Sequence, residues 1–162
     1  MNTRVLFVCS ANTTRSQMAQ ALLLKYGKED FEVDSAGINP GVLNPLAVEV
    51  ILEDEDMDIS SYTTNKILDY YKQGRHYHYV ITVCDEASKE PCPVFPSLDG
   101  VLHWNITSPA CDGSNEEKKA KIRVSKEEIK KIILEFIELV KNKHIKLKDK
   151  ILSPVSPISN MP

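Results

Sequence analysis

Cys9 closes the apolar run Val5-Leu-Phe-Val8, and Arg15 follows six residues later, across Ser10-Ala-Asn-Thr-Thr14, where a helical pattern begins. A cysteine attacks as its thiolate, and the positive end of a helix dipole, with its unpaired N–H groups, favours negative charge. The same N–H groups bind phosphate-like anions. The planar guanidinium of Arg15 matches two oxygens of a tetrahedral oxyanion, which the point charge of a lysine does not. Cys9 is therefore a candidate nucleophile, and Ser10, Ala11, Asn12, Thr13, Thr14 and Arg15 are the candidate oxyanion cradle. The Ser16 hydroxyl can donate to the Cys9 sulfur or simply cap the helix. Asn12 suits a left-handed backbone position that ties such a loop into shape. The plainer alternative is a core cysteine beside an unrelated arginine, although a structural cysteine needs neither the polar loop nor the arginine.

These residues need a strand before them and a helix after them. Val5 to Val8 are β-formers, and Ser16 to Tyr26 puts Met18, Ala21, Leu22 and Tyr26 on one helical face. The chain goes on alternating strand-like and helix-like segments, which indicates a single α/β domain with a four-stranded, mostly parallel sheet flanked by helices. Strands are expected at Arg4 to Val8, Phe31 to Ser35, Tyr79 to Val83 and Val101 to Trp104. Helices are expected at Ser16 to Tyr26, Pro45 to Asp54, Thr64 to Tyr71 and Lys118 to Lys143. In the last, Ile129, Ile132, Ile133, Phe136, Ile137 and Val140 follow helical spacing opposite a charged face. In such a sheet a ligand binds beyond the C-terminal strand ends, where the Cys9 loop falls. The domain is expected over 1–146. Residues 147–162, with the prolines of Ser153-Pro-Val-Ser-Pro-Ile-Ser-Asn-Met-Pro162, are expected to form a loosely ordered tail.

With 162 residues, 42% of them hydrophobic, the chain can bury a real core. A net charge of −3 excludes a global basic field for nucleic acid, so anion binding has to be local. The run Val5 to Val8 is too short for a signal peptide, and no apolar stretch is long enough to span a membrane. Four cysteines in such a chain point to thiol chemistry rather than structural disulfides, and to the cytoplasm. Cys84, Cys92, His103 and Cys111 lack the short spacing of a structural zinc site, so no metal is expected. No cofactor is implied.

The chain resembles the low-molecular-weight protein tyrosine phosphatase fold and, within it, the thioredoxin-coupled arsenate reductases. The resemblance runs from about Val5 to about Val140. It rests on Cys9-x5-Arg15-Ser16 with Asn12 inside and Gln17-Met-Ala after, on Val33-Asp-Ser-Ala-Gly-Ile38 followed by Asn44-Pro, and on Asp58-Ile-Ser60. The segment that separates reductase from phosphatase is Val83-Cys84-Asp-Glu-Ala-Ser-Lys-Glu-Pro-Cys92-Pro93, followed by His103-Trp104. Its two cysteines lie eight positions apart, a longer interval than in the reductases. Either cysteine taken alone also reads as an ordinary core or loop residue.

The resemblance implies that Cys9 attacks arsenate to form a thiol–arsenate adduct. Cys84 then attacks Cys9, so that arsenite leaves and a Cys9–Cys84 disulfide remains. Cys92 next attacks Cys84 and frees Cys9, and a thioredoxin-like partner reduces the resulting disulfide. The low apolar content of Asp85 to Pro91 fits the motion this requires. The resemblance thus makes Cys9, Arg15, Ser16, Cys84 and Cys92 catalytic. Cys111 has no assigned role.

Two departures matter. Where the family places a general-acid aspartate before a proline, Trp104-Asn-Ile-Thr-Ser108-Pro109 has Ser108, and serine cannot protonate a leaving group near neutral pH. Asp85 and Asp112 are the candidate substitutes. At the positions where some reductases hold potassium stand Asn12, Gln20, Ser35 and Asn65, with no carboxylate among them, so no strong potassium site is expected. Arsenate reduction is therefore the leading expectation. Phosphate-monoester hydrolysis through a Cys9 phosphocysteine is the second, and a catalytically weak oxyanion-binding or redox-sensing module the third.

Overall fold

The computed structural model describes residues 2–85, 95–109 and 112–152. Cys92, Cys111 and the proline-rich segment 153–162 lie outside the described residues. Four strands form one sheet: β1 (Thr3–Cys9), β2 (Phe31–Gly37), β3 (Tyr79–Cys84) and β4 (Gly100–Asn105). Their order is β2-β1-β3-β4, and every neighbouring pair is parallel. From β1 the chain goes first to β2 on one side and later to β3 on the other. The loop after β1 therefore sits at the topological switch point, where open α/β sheets leave a crevice.

The helices are α1 (Arg15–Gly27), α2 (Pro45–Glu55), α3 (Ile67–Lys72) and α4 (Asn115–Leu152). α4 runs through residue 146, the expected boundary between domain and tail, and ends at Leu152. α3 starts three residues later than its sequence suggests. Residues 63–66 are instead drawn to the end of β2: Gly37 bridges to Lys66, and its amide donates to the Asn65 carbonyl at 2.8 Å. A short 3₁₀ turn, Lys28–Asp30, which the sequence reading lacked, leads from α1 into β2.

Strand alternation sorts the core onto two faces. Val5, Phe7, Cys9, Ile81 and Val83 face the larger cluster, built with α1, α2 and α4. Leu6, Val8 and Val80 face a smaller one that includes Tyr70 of α3. On α4, Ile122, Ile129, Ile133, Phe136, Ile137 and Val140 form the buried stripe, with Ile132 partly buried beside it. Phe136 packs against Phe31, Tyr79 and Trp104 at ring-centroid distances of 6.0, 5.3 and 5.9 Å, so one side chain spans three strands.

A buried ionic knot holds the three helices of this face together. Glu55, at the end of α2 and 2% exposed, meets Lys25 of α1 at 3.2 Å and Lys126 and Lys130 of α4 at 3.3 and 3.2 Å. The Tyr26 hydroxyl donates to the same carboxylate. Burial pushes the Glu55 carboxyl up, but hydrogen bonds from Tyr26, Lys130 and Lys25 outweigh burial and hold it at about 2, against an ordinary 4.5. Beside the knot, Lys126 also reaches Asp54 and Glu127, while Arg123 pairs with Glu53 and Asp54.

A carboxyl lowered on folding stabilises the native state above its unfolded value, and that contribution disappears as pH falls through its folded value. Glu55 accordingly contributes about 3 kcal/mol at neutral pH, which is lost between about pH 4.5 and pH 2. Urea unfolding across pH 2 to 7 should show that loss. The Glu55→Gln variant should be about 3 kcal/mol less stable at pH 7, because three lysines lose their shared anion, and its stability should change less across the acid range.

Candidate active site

The loop between β1 and α1 is shaped around Asn12, which is fully buried and adopts φ 56°, a left-handed conformation that asparagine tolerates better than most residues. Its Oδ1 accepts from the Asn65 amide at 2.8 Å, and its Nδ2 donates to Ser16 Oγ at 2.7 Å. Its backbone amide donates to Cys9 Sγ at 3.1 Å, and its carbonyl accepts from Gln17 Nε2 at 2.9 Å. Ser16 Oγ lies 2.9 Å from Cys9 Sγ. With Asn12 donating to that oxygen, the Ser16 proton is free to point at sulfur. The sulfur thus has a backbone donor and a hydroxyl donor aimed at it. Ser16 makes these contacts instead of capping the helix, and Thr14, the residue before α1, makes no side-chain cap.

Neighbouring segments brace the loop from outside. The amides of Asn39, Gly41 and Asn44 donate to the carbonyls of Ser10, Ala11 and Thr13 at 3.0, 3.0 and 3.1 Å. Asn44 also caps α2 by accepting from the Leu46 amide, and it reaches Thr14 Oγ1 at 3.1 Å, so one asparagine serves both helix and loop. Gly37 passes so close that a Cβ there would lie 2.9 Å from the Asn12 nitrogen and the Ser10 oxygen, both backbone atoms that cannot yield locally.

Arg15 is 8% exposed, and its Nη1 donates to the Ile106 carbonyl at 3.4 Å. Over the loop opens a cavity of about 610 Å³, lined by Cys9, Ser10, Ala11, Thr13, Thr14 and Arg15. Its rim is Val42, Asn44 to Leu46, Ser108, Pro109, Asn115, Lys118 and Ile122. The cavity wall brings together Ser10, Ala11, Thr13, Thr14 and Arg15, while Asn12 lies beneath it as a support.

Cys84 ends β3 and is buried. It lies one strand away from Cys9 but on the other face, since it alternates with Val80 and Thr82 while Cys9 alternates with Val5 and Phe7. Of the two candidate substitutes for the missing acid, Asp85 does not line the cavity itself, but its Oδ2 accepts from the amide of Ser108, which does, at 2.9 Å. Asp112 pairs with Lys121 at 3.1 Å, is held ionised below its ordinary range by that hydrogen bond, and does not line the cavity. Asn12, Gln20, Ser35 and Asn65 do meet beside the loop. Their groups bind one another and the backbone: Ser35 Oγ to Gln20 Oε1 at 2.6 Å, and Asn65 Nδ2 to the Ser35 carbonyl at 3.0 Å.

Sequence reasoning assigned no bracing role to Gly37, Gln17 or Asn65. A glycine closing a strand was the available signal for the first, as a mark of close backbone approach. The other two act through contacts between distant segments that no local pattern records.

The site is thus framed by a parallel α/β sheet whose first loop presents a cysteine and an arginine to an open cavity. The chain belongs to the low molecular weight phosphotyrosine protein phosphatase family, whose sequence model matches residues 4–150. It is 38% identical over 140 residues to a protein named arsenate reductase from Halalkalibacterium halodurans, covering 85% of this chain and 98% of that one. Among solved structures it is similar to the thioredoxin-dependent arsenate reductase of Corynebacterium glutamicum, at 29% identity and a TM-score of 0.58, over 86% of this chain and 63% of that one. It shares its fold with a low molecular weight protein tyrosine phosphatase from T. tengcongensis, at 24% identity and a TM-score of 0.62, over 85% of this chain and 99% of that one. Among the described residues no helix is long and apolar enough to cross a membrane.

The bracing yields a prediction. Gly37→Ala should push the Ser10–Asn12 backbone out of place and weaken phosphate binding, measured by calorimetry, by at least about tenfold, a loss of about 1.4 kcal/mol. Gly41→Ala, whose added carbon would meet only the Thr13 side-chain methyl at 3.0 Å, should change it little.

Proposed function

We propose that this protein reduces arsenate to arsenite, with Cys9 as nucleophile, the Ser10–Arg15 loop as oxyanion cradle, Ser16 as a donor to the Cys9 sulfur, and Cys84 and Cys92 as the electron outlet. The observation that carries the reading is a second buried thiol, Cys84, at the end of the strand next to Cys9, in a chain 38% identical to a protein named arsenate reductase. The Cys9 thiolate displaces water from arsenate, forming an S–As bond. The Cys84 thiolate attacks Cys9 sulfur, and the electron pair of the breaking S–As bond passes to arsenic, taking it from As(V) to As(III). Arsenite departs and a Cys9–Cys84 disulfide remains. Cys92 then attacks Cys84, and a dithiol of the thioredoxin class supplies the two electrons that restore all three thiols.

Because Cys9 and Cys84 face opposite sides of the sheet, the second step requires the last residues of β3 to leave it. The Ile106 amide bond to the Cys84 carbonyl, 3.2 Å, is one that must break. Such a step suits the end of a strand, where few ladder bonds have to open.

The decisive assay is arsenite release with thioredoxin, thioredoxin reductase and NADPH. Wild-type protein should turn over, and Cys84→Ser should form at most one adduct per chain. Steady turnover by Cys84→Ser with thioredoxin as sole reductant would sink the proposal.

A second reading, phosphate-monoester hydrolysis, is favoured by the cavity volume of about 610 Å³, far more than a bare tetrahedral oxyanion fills. It is disfavoured by Ser108 at the expected acid position. It predicts p-nitrophenyl phosphate hydrolysis that is lost in Cys9→Ser and unchanged when Cys84 and Cys92 are both replaced by serine. The reductase reading predicts no more than residual hydrolysis in the wild type.

A further inference from the structure

Three residues beside the cavity, Ile106 to Ser108, are held at every successive backbone polar group from the Ile106 amide to the Ser108 amide. The Ile106 amide donates to the Cys84 carbonyl, and the Ile106 carbonyl accepts from Arg15 Nη1. The Thr107 amide and hydroxyl both donate to the Glu128 carboxylate at 3.1 Å, and the Thr107 carbonyl accepts from Ser125 Oγ at 2.7 Å. The Ser108 amide donates to Asp85 Oδ2 at 2.9 Å. Glu128 and Ser125 belong to the α4 strut, whereas Asp85 follows Cys84 directly. This strap carries the carbonyl that orients Arg15, and its last residue lines the cavity. Its hold is rigid on the α4 side. On the β3 side it depends on the two residues that the reduction of the Cys9 adduct must displace.

We propose that Asp85 is a positioning residue of the oxyanion site: by accepting from the Ser108 amide it fixes the Ile106–Ser108 strap, and with it Arg15, so that oxyanion binding and the seating of Cys84 in β3 reinforce each other. In this role Asp85 acts as a hydrogen-bond acceptor, its Oδ2 directed at a backbone amide. Coupling of this kind is reciprocal: if a seated strand end improves oxyanion binding, bound oxyanion must hold the strand end seated. Departure of Cys84 toward Cys9 then loosens the cradle, which favours release of arsenite. The inference rests on the reading of Cys9 to Arg15 as the oxyanion site.

The test uses inorganic phosphate, which needs no turnover. Calorimetry on the full reduced chain should show phosphate binding about tenfold weaker in Asp85→Ala, the loss expected from one charge-assisted hydrogen bond. Asp85→Asn, which keeps an acceptor oxygen and removes the charge and the titratable proton, should bind within about threefold of wild type. A purely structural role would not move the second readout, alkylation of Cys84 followed by mass spectrometry. Saturating phosphate should slow it several-fold in wild type and Asp85→Asn, and should not slow it in Asp85→Ala. Phosphate affinity unchanged in a folded Asp85→Ala, or Cys84 alkylation indifferent to phosphate in wild type, overturns the proposal. So does retained binding with lost arsenate turnover in Asp85→Asn, which would make Asp85 a proton donor. Arg15→Ala separates the two levels: phosphate binding unaffected by that change overturns the site assignment as well, whereas binding lost with Arg15→Ala and intact in Asp85→Ala overturns the role of Asp85 alone.

Discussion

A loop that gathers donors around one sulfur has to be bent against its own backbone preferences, and here the bend is concentrated at Asn12. Its left-handed conformation is unfavourable for most side chains, yet four hydrogen bonds in four directions make it the best place for that residue. Those bonds reach Cys9 on one side, Ser16 and Gln17 in the first turn of α1 on another, and Asn65 in the segment before α3. The site is thus assembled from three stretches of chain that meet because β2 and β3 flank β1. The sheet order and the loop shape are two aspects of one arrangement.

The long helix supplies the counterweight. α4 meets the aromatic rings of three strands through Phe136, ties α1 to α2 through the lysines around Glu55, and holds the Ile106–Ser108 strap through Ser125 and Glu128. A surface ion pair adds little to stability. The Glu55 cluster differs because its carboxylate is buried and satisfied by four donors at once, so each partner is costly to remove. The first two-thirds of α4 therefore fixes the distance between the sheet and the cavity rim, where Asn115, Lys118 and Ile122 stand.

Much of this was legible in the sequence because local periodicity and the catalytic motif carry it. Alternation marked the four strands, and the 3–4 spacing of isoleucines marked α4. The Cys9 to Arg15 spacing located the loop at a strand end. What was not legible depends on pairing between remote segments. Thr64 to Lys66 have no local reason to avoid the helix, and it is the end of β2 that claims them. Likewise Glu55 looks like any other acid in the run Glu53-Asp-Glu-Asp56 until folding places three lysines and a tyrosine around it. Ser108 read as a loss, a proton donor missing from its place. In the fold its backbone amide binds Asp85, at the end of a strap whose other contacts come from α4, Arg15 and the Cys84 carbonyl.

The parity of β1 and β3 puts a sheet of peptide groups between the two buried thiols. An oxidant entering the cavity meets Cys9, and the other thiol among the described residues, Cys84, lies across the sheet from it. On the proposed chemistry, the sheet holds Cys9 and Cys84 apart, out of reach of the short circuit that would spend their reducing equivalents without substrate. On that chemistry the circuit between these two thiols closes when the end of β3 comes loose, so the sheet itself serves as the switch between storing electrons and delivering them.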